Sequence, residues 1–208
     1  MKKISVIDFR GGNLYSVIQA CKEVGGSAEI TDNYEEILNS DGLILPGVGS
    51  FPSAMKILEE KNLVKPIKDF VSSGKPFFGI CLGFQLLFSK SEEFENCNGL
   101  GLIEGEVLKF KNINNRIKVP HIGWNKIYSN RDWSNTPLKN IKQKEHMYFV
   151  HSYFVEPKNI NEGLSVTEYE GVEYCSSILK NNIFATQFHP EKSGKYGLSI
   201  YKNWINKL

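Results

Sequence analysis

Apolar runs alternate with amphipathic segments through the first half of the chain. Ile4-Ser5-Val6-Ile7-Asp8-Phe9 is apolar nearly throughout, as a strand buried on both faces should be. Leu14, Val17, Ile18, Cys21 and Val24 then recur at helical spacing, and Gly25-Gly26 closes that helix. Ala28-Glu29-Ile30 reads as a short second strand. Gly42-Leu43-Ile44-Leu45 reads as a third, ended by Pro46-Gly47-Val48-Gly49. Helices are expected from about Phe51 to Lys61 and from Val64 to Ser73. The apolar run Pro76-Phe77-Phe78 leads into Gly79-Ile80-Cys81-Leu82-Gly83, and a helical run from Leu82 to Phe88 follows. Strands that alternate with helices predict an α/β fold with a mostly parallel sheet flanked by helices. In such sheets the chemistry lies beyond the carboxyl ends of the strands. Three loops occupy such ends: Arg10 to Asn13, Pro46 to Ser50, and Cys81 itself.

The period changes in the second half. Glu104 to Phe110, Lys118 to Tyr128, Met147 to Tyr153, Ser165 to Tyr169, Val172 to Leu179 and Ile183 to Gln187 read as shorter strands. Glu170-Gly171 is expected to be a hairpin turn. These segments predict an antiparallel or mixed C-terminal extension of the sheet. A last helix puts Tyr201, Trp204, Ile205 and Leu208 on one face. No repeat and no Pro-, Gly- or Ser-rich linker interrupts the pattern, so residues 1–208 are expected to form one domain.

The formal net charge is +2, which gives no bulk electrostatic reason to expect nucleic acid or membrane as a partner. Lys139 to Lys144 reads as a solvated face. Cys21, Cys81, Cys97 and Cys175 form no Cys-x-x-Cys pair, which suits a reducing cytosol. Asp8 and Arg10 break the apolar run after Met1-Lys2-Lys3, so neither a signal peptide nor a membrane span is expected. No histidine or cysteine spacing suggests a metal, and no cofactor is expected.

Candidate chemistry centres on Cys81. A cysteine inside Gly-x-Cys-x-Gly, between strand and helix, predicts a strained turn that presents a nucleophile at the top of a sheet. The N–H groups of the following helix would favour a thiolate and bind a developing oxyanion. A thiol also needs a base. His189 follows the strand Ile183 to Phe188, where Pro190 ends the ladder. In extended backbone Glu191 would point to the same side as His189 and fix its tautomer. Pro46-Gly47-Val48-Gly49-Ser50-Phe51 lacks the Gly-Lys-[Ser/Thr] of a phosphate loop. It is expected either to supply an oxyanion donor with the N–H of Leu82 or to be an ordinary strand-to-helix turn. His121 and His151 read as structural or substrate-lining, and His146 lies in a polar stretch.

Five motifs together resemble the class I, triad-type glutamine amidotransferases, a flavodoxin-like family. They are Pro46-Gly47-Val48-Gly49, Gly79 to Gln85, Pro120-His121-Ile122-Gly123-Trp124-Asn125, Tyr148 to Tyr153, and Ala185 to Ser193. Within that family the chain is most similar to the glutaminase subunits of imidazole glycerol phosphate synthases. The resemblance implies Cys81 as nucleophile, His189 as base and then acid, and Glu191 as orienter. It implies Gly47, Gly49, Leu82 and Gly83 in the oxyanion region. Gln85 and the backbone around His151, Ser152 and Tyr153 would hold the α-amino and α-carboxylate groups of glutamine. Asn13, Trp124 and Asn125, with Arg10 beside them, would face a cyclase/synthase partner of (β/α)₈ barrel type in a cytoplasmic heterodimer. The family usually carries tyrosine and glycine where this chain has Phe9 and Arg10. Three other readings stay open. They are a paralogous synthase that aminates a nucleotide sugar for surface glycans, a non-catalytic subunit on the same scaffold, and a cysteine hydrolase acting on another amide.

Overall fold

A computed structural model describes residues 2–9, 12–94, 96–110 and 118–208. The first half runs β1 (Lys3–Ile7), α1 (Leu14–Glu23), β2 (Ser27–Thr31), α2 (Tyr34–Asn39), β3 (Gly42–Gly47), α3 (Phe51–Glu60), α4 (Val64–Ser72) and β4 (Phe77–Cys81). After a single turn of helix, α5 (Leu82–Gln85), come β5 (Phe88–Ser91), β6 (Cys97–Asn98), β7 (Ile103–Lys109), β8 (His121–Ser129), β9 (Glu145–His151), β10 (Tyr153–Pro157), β11 (Gly163–Tyr169), β12 (Val172–Lys180) and β13 (Ile183–Thr186). The helix α6 (Gly194–Ile205) ends the chain.

Strands β2, β1, β3, β4 and β13 lie side by side and are all parallel. Beyond β13 the sheet turns antiparallel through β12, β10 and β7, and β11, β8 and β9 branch from β12. The α/β class and the mixed extension read from the sequence are both present.

Period-two alternation divides the core between the two faces of the sheet. Phe78 packs with Tyr201 and Trp204 of α6, each at 5.5 Å between ring centres. Its neighbour Phe77 belongs to the opposite layer, with Ile37, Leu58, Ile67 and Phe70 from α2, α3 and α4. Register then decides which loops meet. Gly47 pairs with Cys81, and Thr186 pairs with Ile80. The loop after β3, the bend after β4 and the segment after β13 therefore leave the sheet at the same edge.

Several elements differ from the sequence reading. The helix expected over Leu82 to Phe88 stops at Gln85, and Phe88 begins a strand. Leu86, Leu87 and Phe88 are all fully buried, so this run carries no amphipathic period to hold a helix to one face. Their carbonyls are taken instead: Leu86 O accepts from Leu100 N–H, and Leu87 O from the N–H groups of Leu102 and Ile103. The single strand expected over Met147 to Tyr153 is two strands that break at Ser152. Helix α2 escaped the periodicity because it has only six residues; its mark is the cap, in which Asn33 Oδ1 accepts from Glu36 N–H at 3.1 Å. The Glu170-Gly171 turn lies where expected, with φ of 50° and 83°, as a two-residue type I′ hairpin needs.

Candidate active site

Cys81, the last residue of β4 and the cap of α5, sits at φ 54°, ψ −108°. A non-glycine residue there is strained, and it persists only where its surroundings over-determine it. Gly83 is the main constraint. A Cβ on Gly83 would lie 1.8 Å from the carbonyl oxygen of Leu45, so α5 rests directly on the backbone of β3. That close approach holds the bend at Cys81. Since α5 has only four residues, its dipole is smaller than that of the run to Phe88 expected from sequence.

The base and its orienter come from the segment after β13. His189 Nδ1 lies 2.7 Å from Glu191 Oε1, and both side chains are almost completely buried. The two residues are juxtaposed by a 3₁₀ turn over Pro190–Lys192, not by the extended backbone that the sequence suggested. Burial alone would lower the affinity of the His189 imidazole for a proton. The Cys81 sulfur and then Glu191 outweigh it and push the pKa up to about 10. The other ring nitrogen, Nε2, is buried with no hydrogen-bond partner among the described residues. The ring is thus held by Glu191 at Nδ1, and the Cys81 sulfur is the strongest group that favours its proton.

The backbone of His189 is clamped to β9. Its N–H donates to Tyr148 O at 2.9 Å. Ser193 Oγ donates to His189 O at 2.7 Å and accepts from Tyr148 N–H at 3.0 Å. Ser193 is buried, which shields this bridge from solvent.

A cavity of about 230 Å³ opens beside Cys81. Of the residues picked from sequence, Gly49, Cys81, Leu82, Gln85, His151, Ser152 and Tyr153 line it. Gly49 has φ 111°, a conformation that suits glycine. Gly47 and Gly83 stand behind the wall, where a Cβ on Gly47 would lie 2.8 Å from the Phe9 ring. Gln85 Nε2 donates to Tyr153 O at 2.8 Å and to Gln187 Oε1 at 3.0 Å, and Gln187 Nε2 lies 3.7 Å from Cys81 Sγ.

Three groups near Cys81 were given no role from sequence. Gln187 was read as strand and as part of the histidine motif. Val150 presents its carbonyl oxygen 3.8 Å from Cys81 Sγ. Glu93 lies in a stretch of acidic and polar residues with no local pattern. It lines the cavity and accepts from Phe51 N–H, at the start of α3, at 2.7 Å. Burial raises its pKa, while the Phe51 N–H and Lys109 pull it back. A larger groove of about 950 Å³ lies among β7, β10, β11 and β12, but it contains neither Cys81 nor His189.

The residues expected at a partner face are spread more widely. Trp124 is 57% exposed, and its ring lies 6.0 Å from that of Tyr148. Asn125 Nδ2 donates to Glu168 O at 2.9 Å, and Asn13 Oδ1 caps α1 by accepting from Ser16 N–H at 3.2 Å. Arg10 lies outside the described residues.

Comparison with known proteins bears on the family. Residues 5–208 match the family model described as glutamine amidotransferase class-I. This chain belongs to the class-I glutamine amidotransferases.

Among relatives, "Imidazole glycerol phosphate synthase subunit HisH 1" of Legionella pneumophila (strain Lens) is 44% identical, over 99% of this chain and 99% of that protein. "Imidazole glycerol phosphate synthase subunit HisH" of Bacillus mycoides (strain KBAB4) is 48% identical, over 97% of this chain and 93% of that one. The solved structure titled "Structure of PurLQS from Thermotoga maritima" superposes with a TM-score of 0.75 over 99% of both chains at 20% identity. At that identity it speaks for the amidotransferase fold alone.

Proposed function

We propose that this amidotransferase hydrolyses glutamine to glutamate and ammonia, and passes the ammonia to a synthase subunit that makes imidazole glycerol phosphate in histidine biosynthesis. The observation that carries the chemistry is the buried Glu191–His189 pair beside a cysteine in strained backbone. The pathway rests on relatives that bear the imidazole glycerol phosphate synthase name over nearly their whole length. None of those relatives supports the nucleotide-sugar acceptor.

In this reading the Cys81 thiolate attacks the side-chain carboxamide carbon of glutamine. The oxyanion rests on N–H donors near Gly49 and Leu82. His189 gives its proton to the leaving nitrogen, the C–N bond breaks, and a γ-glutamyl thioester remains. Water then attacks the thioester as His189 takes a proton from it, which releases glutamate and restores the thiolate. Glu191 holds the ring in the useful tautomer and stabilises the imidazolium. Glu93 puts a carboxylate on the cavity wall, where the α-ammonium of glutamine would meet it, and Gln85 with the Ser152–Tyr153 backbone would hold the α-carboxylate.

Ammonia in neutral water becomes mostly ammonium, which is no nucleophile, so transfer needs a shielded route. A (β/α)₈ barrel synthase docked over Trp124 in a cytoplasmic heterodimer would supply it. The test is glutamine turnover by the co-purified complex. Cys81→Ala should abolish it and leave the circular dichroism spectrum unchanged, and a variant that still turns over at the parent rate would sink the assignment.

A further inference from the structure

His121, Tyr174 and His151 form a buried chain beside the cavity, and the mechanism above leaves all three unused. His151 Nδ1 lies 2.8 Å from Tyr153 O, His151 Nε2 lies 3.2 Å from the Tyr174 hydroxyl, and that hydroxyl lies 3.3 Å from His121 Nδ1. All three side chains are buried. The direction of every bond is fixed by its far end. A carbonyl oxygen only accepts, so His151 must donate from Nδ1 and its Nε2 is bare. The Tyr174 hydroxyl must then donate to that bare nitrogen. Its oxygen is left to accept from a protonated Nδ1 of His121. Burial keeps both rings neutral, with pKa values lowered to about 4 for His121 and about 3 for His151.

The chain ends on a carbonyl with a second duty. Tyr153 O also accepts from Gln85 Nε2, and both residues line the cavity next to Cys81. The bond from His151 to Tyr153 O spans the break between β9 and β10, two residues apart, where Ser152 O accepts from Phe110 N–H at 3.2 Å and Tyr153 pairs with Lys109 of β7. The His151 ring therefore adds a side-chain tie to the stretch of cavity wall where the two strands meet. Rings hold the far end: His121 stacks on Tyr169 at 3.9 Å and on Phe149 at 5.1 Å.

We propose that Tyr174, backed by His121, is a positioning residue for glutamine: it locks the His151 ring and so sets the Tyr153 carbonyl and the Ser152–Tyr153 backbone that receives the α-amino and α-carboxylate end of the substrate. The proposal deepens the glutaminase reading and rests on it. No proton transfer by Cys81, His189 or Glu191 passes through this chain, although the cavity wall it sets lies next to Cys81.

Tyr174→Phe removes one hydroxyl and keeps the ring packing. It strands the bare nitrogen of His151 and the N–H of His121. In the complex with its co-purified synthase, KM for glutamine should rise about three- to tenfold, the range for a lost buried hydrogen bond, with kcat within about twofold of the parent. His121→Phe should move KM the same way and by less, and it carries the test if Tyr174→Phe does not fold. Alkylation of Cys81 by iodoacetamide, followed by mass spectrometry, ignores the α groups and should proceed at the parent rate. Labelling by a glutamine-shaped diazoketone uses them and should slow. An unchanged KM in both variants, or equal loss of iodoacetamide and diazoketone labelling, would overturn the proposal. A parent complex that does not turn over glutamine would instead overturn the glutaminase reading.

Discussion

His189 is raised chiefly by a neighbour that can be deleted. Burial works against its proton, and the Cys81 sulfur is the strongest of the groups that favour it. In Cys81→Ala the imidazole should therefore titrate well below 10, as followed by proton NMR of the ring. If it titrates where it does in the parent, the sulfur and the ring are not paired. The same raised value has a consequence for stability. The folded-state pKa exceeds the unfolded value of about 6.5, so the contribution is complete below that pH and is lost as pH rises through about 10. Urea midpoints of parent and Cys81→Ala should converge between pH 7 and pH 10. These residues were legible in the sequence because each carries its own local frame: glycines around Cys81, proline and glutamate after His189. Glu93 and Gln187 carry none. Glu93 finds its partner Phe51 42 positions away, and Gln187 finds Cys81 106 positions away, so only the folded sheet reveals either.

Elements are set here by backbone contacts as much as by side-chain pattern. Gly83 shows the strongest constraint. Alanine at that position would drive Cβ into Leu45 O, and neither β3 nor α5 has a flexible group that could yield. Gly83→Ala should lower unfolding free energy by about 3 kcal/mol or more, the upper end for overpacking, or prevent folding outright. Urea denaturation gives the measure. Ser193→Ala should be milder. It removes the two bonds that tie His189 O and Tyr148 N–H together, at a cost of about 1–3 kcal/mol in denaturation, and kcat should fall because the imidazole loses its anchor. The parallel half was read from sequence nearly strand for strand, since apolar runs between turn residues have few other meanings in an α/β chain. Leu82 to Phe88 was misread because total burial erases periodicity: an all-apolar run looks alike as helix or strand until tertiary hydrogen bonds choose.

At the scale of the molecule, adjacent parallel strands place the nucleophile at the end of β4 and the base in the segment just after β13. The antiparallel extension folds back to supply the opposite wall of the cavity. That division was visible in the change of period near the middle of the chain, whereas the branching of β11, β8 and β9 from β12 was not, because pairing among short strands depends on register. The exposed Trp124 ring lies on β8 of the extension. If a synthase docks there, Trp124→Ala should weaken the complex by about 2 kcal/mol or roughly 30-fold in Kd, the scale of an interfacial aromatic anchor, as measured by titration calorimetry. Unchanged affinity would place the partner elsewhere.

Tyr148 touches both stories at once. Its ring lies 6.0 Å from that of Trp124 and 5.6 Å from the ammonium of Lys192, and its main chain holds His189 directly and through Ser193. If a partner docks on Trp124, it would lie one residue from the backbone that holds the proton carrier, and no long path through the protein would be needed for the two to be coupled.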